Sequence, residues 1–281
     1  MSEKYTLTQL QRLTELNAGS EITEQEFKDA DARNDVYKKT EKDLVKKNRE
    51  KLKALLDKRH MPLTACIENN MTEWLTEKAE FTKVSTPIII TGENLDAMSI
   101  TKDNPLREQV FWTGRNRCLR PMLAPGLYVV MRELHKITNG PVRIFECGSC
   151  FRKESQGAMH MNEFTMLNMV ELAGTEEGHQ GEKLESFARG AMEAVGIDKY
   201  EIVREKSDVY GETMDIIADG IELASGAYGP LPAMDSKWGV FDVWVGLGLG
   251  IERIAMVKGG YQTIKRAGKS IAYIDGIPFK L

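Results

Sequence analysis

The first sixty residues scatter a few Leu among Lys, Glu, Asp and Gln and predict helices of low hydrophobicity. From Leu63 the pattern sharpens: Leu63, Ile67, Met71, Trp74 and Leu75 recur at helical spacing and lay one apolar stripe along a helix running to about Glu80. Phe81 to Ile90 mixes β-branched and aromatic residues around Pro87. Proline cannot donate to a ladder, so this strand is expected to lie at an edge or to break there. A second helix begins after Pro125, which suits a first helical turn, and stops at Asn139-Gly140, with Leu123, Ala124, Leu127, Tyr128 and Met131 on one side. Val142 to Glu154 and Glu163 to Leu172 read as strands of a long hairpin joined by the polar loop Ser155 to Asn162. Gly181 to Val195 and Ile251 to Lys258 read as helices. Tyr200 to Glu205, Met214 to Ala218, Ile221 to Ala227 and Phe241 to Gly250 read as strands. Strands in a row, with helices grouped around them, predict an α+β antiparallel sheet rather than alternating βαβ units.

Strand parity then sorts the side chains. Arg152 and Glu154 share a face, as do Phe164, Met166, Asn168 and Val170, whose mixture of aromatic, amide and apolar groups suits a pocket better than a core. Trp244, Gly246, Gly248 and Gly250 point one way, while Val245, Leu247 and Leu249 point the other. Three glycines on one face leave a bare shelf, where either a ligand approaches or a helix packs tightly. The run ends in Gly250-Ile-Glu-Arg253, placing a guanidinium at a helix start where it can clamp phosphate oxygens. Cys147-Gly-Ser-Cys150 has the spacing of zinc and redox sites, but its cysteines have opposite parity and Cys66 and Cys118 form no second pair. The four histidines (His60, His135, His160, His179) show no ligand spacing. A metal or redox role for these residues is not expected.

With 281 residues, 42% hydrophobic and 28% charged, the chain is one large domain or two small ones. Its net charge of −4 excludes a uniformly cationic coat. Tyr37 to His60 runs against that total, with ten basic residues to four acidic, and reads either as a solvated helix face or as a phosphate-contacting helix. No apolar stretch is long enough for a membrane span and the start is polar, so a cytoplasmic protein with reduced thiols and no membrane partner is expected.

Phe151-Arg-Lys-Glu154, the hairpin with Phe164 on its return, and Gly248-Leu-Gly-Ile-Glu-Arg253 resemble motifs two and three of the class II aminoacyl-tRNA synthetases. The helix followed by the strand with Pro87 resembles motif one. Leu119-Arg-Pro-Met-Leu-Ala-Pro125, Phe151-Arg-Lys-Glu-Ser155, Glu163-Phe-Thr-Met-Leu-Asn168 and Val209-Tyr-Gly-Glu-Thr213 narrow the resemblance to the pyrrolysyl members, from about residue 60 to the C-terminus. The resemblance implies a class II antiparallel sheet flanked by helices, and a ligase with two activities. It would activate pyrrolysine, or a related lysine derivative, with ATP as the adenylate, and transfer it to the 3′-terminal adenosine of its cognate tRNA.

Carried over by position, the catalytic pair is Arg152, on the α-phosphate and substrate carboxylate, and Arg253, on the γ-phosphate. Glu154, His160, Met161 and Leu223 would contact the nucleotide, Phe164 would stack on adenine, and Glu222 with Ser225 would ligate Mg²⁺. Glu222 and Ser225 have opposite parity and converge only if their strand bulges or ends between them. The resemblance gives the amino acid an apolar pocket from Leu123, Ala124, Leu127, Tyr128, Met131, Val170, Trp244 and Gly246. Asn168 would bond the side-chain amide and Tyr210 would close over the ring. Gly126, where Asn is common, and Leu249, where an aromatic is common, depart from the family pattern beside this pocket and bear on its width. Also implied are a homodimer formed through motif one, residues 1–60 as a helical tRNA-contacting extension and residues 61–281 as the catalytic domain. The extra N-terminal tRNA-binding domain of some members is not seen, which implies either a separate tRNA-binding chain as partner or a form that works without one. Two alternatives compete: a class II synthetase for another amino acid, aromatic or suited to an engineered pocket, and a catalytically silent tRNA-binding paralogue. The second has no need of the whole ATP set.

Overall fold

A computed structural model describes residues 2–153, 157 and 159–281. Along the chain lie α1 (Leu7–Glu15), α2 (Ser20–Thr23), α3 (Ala30–Asp57), α4 (Leu63–Glu73), β1 (Thr82–Lys83), β2 (Ile89–Thr91), α5 (Gly92–Ala97), β3 (Trp112–Gly114), β4 (Arg117–Leu119) and α6 (Ala124–Thr138). These are followed by β5 (Val142–Phe151), β6 (Glu163–Leu172), α7 (Gln180–Val195), β7 (Glu201–Ser207), β8 (Gly211–Ala218), β9 (Ile221–Gly229), α8 (Pro232–Trp238), β10 (Trp244–Gly250), α9 (Ile251–Gly259), α10 (Ile264–Ala267), β11 (Tyr273–Ile274) and β12 (Ile277–Pro278).

The chain forms two compact units, Met1–Leu63 with Ser270–Leu281, and Thr64–Lys269. In the first, Tyr5, Leu13, Ala18 and Phe27 make a small core against which α3 packs Val36, Tyr37 and Leu44. The α1 N-terminus is closed by a capping box between Thr6 and Gln9. The final segment, Ser270–Leu281, groups here and not with Thr64–Lys269, a correction to the boundary drawn from sequence. Its β11–β12 turn accepts a hydrogen bond from Asn17 Nδ2 at the Gly276 carbonyl (2.7 Å), and beyond β12 the Lys280 carbonyl accepts one from Arg12 Nη1 (3.0 Å). Strands of two residues leave no periodicity from which this could be read.

In the second unit a seven-stranded sheet runs β1-β5-β6-β10-β9-β8-β7, antiparallel except where β1 pairs with β5. Pro87 breaks the expected strand: β1 stays at the edge of this sheet, and β2 joins a separate sheet of order β2-β4-β3. The α4 stripe buries Ile67, Met71 and Leu75, but the helix widens into a π turn over Trp74–Lys78. α6 carries Pro125 in its first turn and ends on Asn139 at φ 50°. α7 covers one face of β9 and β10, leaving their other face to the site. Among the described residues no helix is long and apolar enough to cross a membrane.

Candidate active site

The strand register assembles the site from parity alone. Opposite Met166, Asn168 and Val170 on β6 stand Gly250, Gly248 and Gly246 on β10, and beyond Gly248 and Gly246 stand Ser225 and Ala227 on β9. All of these line one cavity of about 380 Å³, within the range of small-molecule sites. The glycine shelf is therefore its floor, while Val245, Leu247 and Leu249 are fully buried on the opposite face. A Cβ at Gly248 would stand 3.1 Å from the Asn168 amide nitrogen, so glycine is what allows that side chain to lie over the strand.

From Phe164 to Val170 the lining extends six residues along β6, roughly 20 Å at 3.3 Å per residue. Its two ends differ in chemistry. At the first, Arg152 donates from Nε to the Pro121 carbonyl (3.0 Å) and holds its guanidinium 5.2 Å from the Phe164 ring centroid. His160 and Met161 also line this part, and Arg253, at the start of α9, donates from Nη1 to the Glu222 carboxylate at 3.0 Å. At the other end Ala124, Leu127, Tyr128 and Met131 of α6 meet Val170 and Trp244, and Tyr210, on the β7–β8 turn, stands 6.2 Å from the Trp244 ring.

Glu222 and Ser225 reach the same cavity because β9 carries one extra residue. Ile216 pairs with Ala224 but Ile217 with Glu222, so Leu223 is the bulged residue, itself lining the cavity. The parity conflict is resolved by the device that it required. The Ser225 hydroxyl donates to Asp215 Oδ1 at 2.6 Å, directing its lone pairs elsewhere. The Glu222 carboxylate and Ser225 hydroxyl are hard oxygen donors on one wall and would suit Mg²⁺.

A family model, tRNA synthetases class II core domain (F), matches residues 50–207. Two solved structures of pyrrolysyl-tRNA synthetase from Desulfitobacterium hafniense are each 44% identical over the whole of this chain. They have TM-scores of 0.89 and 0.91, with 96% and 100% of their own chains covered. The chain belongs to the pyrrolysyl-tRNA synthetases. More distant similarity reaches the phenylalanine–tRNA ligase alpha subunit of Mycoplasma pneumoniae, 31% identical over 27% of this chain and 23% of that protein. It also reaches the O-phosphoserine–tRNA(Cys) ligase of Methanococcus vannielii, 25% identical over 52% of this chain and 29% of that protein. The chain thus spans about a quarter of the length of these two relatives.

Of the site residues expected from sequence, Glu154 lies outside the described residues. Leu123 does not line the cavity: it precedes the first turn of α6 and is fully buried in the core, where Met122 takes the lining position instead. Neither departure of this synthetase from its family pattern sets the pocket width. Leu249 faces away, and a Cβ at Gly126 would stand 2.2 Å from Thr86 Oγ1, which donates to the buried Glu146 of the Arg120–Glu146 ion pair. Gly126 thereby belongs to the scaffold behind the site.

Sequence reasoning missed Glu252 and much of the methionine lining. Met122, Met131, Met159, Met161, Met166 and Met169 all border the cavity, giving it adaptable walls. Strand parity predicts Met166, helical periodicity Met131 and the family resemblance Met161, whereas Met122, Met159 and Met169 were not expected in the lining. Glu252 accepts the Thr165 N–H through both oxygens (3.0 and 2.8 Å), and burial raises its pKa. Cys66, Cys118, Cys147 and Cys150 form no disulfide among the described residues. Cys147 and Cys150 stand opposite Leu167 and Phe164, and burial raises both thiols, Cys150 to about 12. Among the described residues no group of three His, Cys, Asp or Glu could hold a metal.

Proposed function

We propose that this synthetase activates pyrrolysine, or a closely related N-ε-acylated lysine, with ATP and charges it to a cognate tRNA. The observation that carries the substrate reading is Asn168. Its Oδ1 is buried without a hydrogen-bond partner among the described residues, midway between the cationic and the apolar end of one cavity. An unpaired buried amide costs about 1–3 kcal/mol, and a long, mostly apolar substrate carrying one amide supplies the missing partner.

The cationic end takes the nucleotide. Arg152 and Arg253 bind and orient the triphosphate and neutralise charge developing on its oxygens, and Phe164 offers a face for the adenine. The substrate carboxylate is itself the nucleophile toward the α-phosphorus, so the site needs no general base. Its contribution is to hold the two reactants in line. Glu222 and Ser225 would hold Mg²⁺, which when bound adds neutralising charge at the phosphates. The ten basic residues of 37–60 are all solvent-exposed and favour contact with the tRNA backbone. Exposed Ile88, Ile89 and Trp112 on or beside the small sheet favour homodimerisation through that face.

Asn168→Ala tests the substrate reading in ATP–pyrophosphate exchange with an N-ε-acylated lysine. The amino-acid KM is expected to rise about tenfold or more with the ATP KM unchanged. An unaltered amino-acid KM removes Asn168 from recognition.

A further inference from the structure

Behind the apolar end of the cavity lies a carboxyl group that does not line it. Asp235, on α8, is 1% exposed and accepts three hydrogen bonds. These come from Tyr128 OH to Oδ1 (2.8 Å), and from Trp244 Nε1 (2.7 Å) and the Leu231 N–H (2.5 Å) to Oδ2. Tyr128 and Trp244 belong to α6 and β10, and their rings, 6.0 Å apart at 77°, form the closed end of the pocket. On its far side Tyr128 stacks on Trp238 of α8 at 5.3 Å. Burial raises the Tyr128 pKa, which keeps the phenol protonated and a donor.

A buried carboxyl costs free energy unless its oxygens are satisfied, and here the satisfying groups are the two aromatic walls themselves. We infer that Asp235 is a specificity-determining positioning residue: by clamping Tyr128 and Trp244 from behind, it fixes the depth and width of the amino-acid end without touching substrate. Packing alone would leave both rings free to shift, because the neighbouring methionines adapt their shape. Hydrogen bonds to one rigid carboxyl fix both rings in register with the Asn168 amide. The inference rests on the amino-acid end of the cavity as proposed above.

The test compares Asp235→Ala, Asp235→Asn and Tyr128→Phe in ATP–pyrophosphate exchange with N-ε-acylated lysines of increasing acyl length. Asn keeps all three contacts, its carbonyl facing Trp244 and Leu231 and its NH₂ donating to the phenol oxygen, so its amino-acid KM should stay within about threefold of wild type. Asp235→Ala should raise that KM about tenfold or more, leave the ATP KM unchanged and flatten the preference among acyl lengths. Tyr128→Phe deletes one clamp bond with ring volume kept. It should flatten the same preference, so that the inference is decided even if the alanine variant fails to fold. Retained length preference in Tyr128→Phe, or a folded Asp235→Ala with unchanged amino-acid KM, overturns the inference. If wild type shows no exchange with any lysine derivative, the substrate reading has failed, and the same variants are read with whichever amino acid supports exchange.

Discussion

Burial of Glu252 outweighs the hydrogen bonds from Thr165 and the charge of Lys269 that favour its carboxylate, and its raised pKa is a statement about stability. The folded state binds its proton more tightly than the unfolded state, where glutamate titrates near 4.5. The stabilisation is therefore fully present below that pH and is lost as pH rises through the elevated folded value. Glu252→Gln keeps an acceptor for Thr165 and removes the titration. The Tm of wild type relative to this variant should fall as pH is raised from 4 toward neutrality. A pH-independent difference contradicts the assignment. Residues of this kind were not legible in the sequence, since Glu252 meets Thr165 87 positions away and Asp235 meets Tyr128 107 positions away. By contrast Phe164, Asn168 and Trp244 were legible because they alternate on strands, and alternation survives into the folded sheet.

At the scale of elements, the hairpin β5–β6, helix α6 and strand β10 follow their local patterns closely. β9 shows where local reading stops: sequence parity set the condition, and the sheet met it by inserting Leu223. α5, α8 and the two-residue strands β11 and β12 carry too few residues for a period to emerge. α3 could be recognised as a helix, but its low hydrophobicity left its role to charge. All its basic side chains from Lys38 to Lys53 face solvent, so reversing Lys46, Lys47 and Arg49 to Glu should raise the tRNA KM about tenfold or more at physiological salt, with adenylate formation intact. Lost adenylate formation, or an unchanged tRNA KM, contradicts backbone contact by this helix.

For the whole molecule, a self-contained cavity and exposed apolar side chains at the β2-β4-β3 sheet make separate claims. The second predicts a solution mass of twice 31.7 kDa by light scattering at micromolar concentration, and a monomeric mass contradicts it. The first is the central claim, that the polarity of one cavity, cationic at Arg152 and Arg253 and apolar at Tyr128 and Trp244, selects ATP and a long amide-bearing amino acid. It is tested most directly by amino-acid-dependent ATP–pyrophosphate exchange with Mg²⁺, comparing pyrrolysine or an N-ε-acylated lysine with each of the twenty standard amino acids. Exchange confined to the lysine derivatives is the predicted result. Exchange with a standard amino acid, or with none of the compounds, contradicts the account.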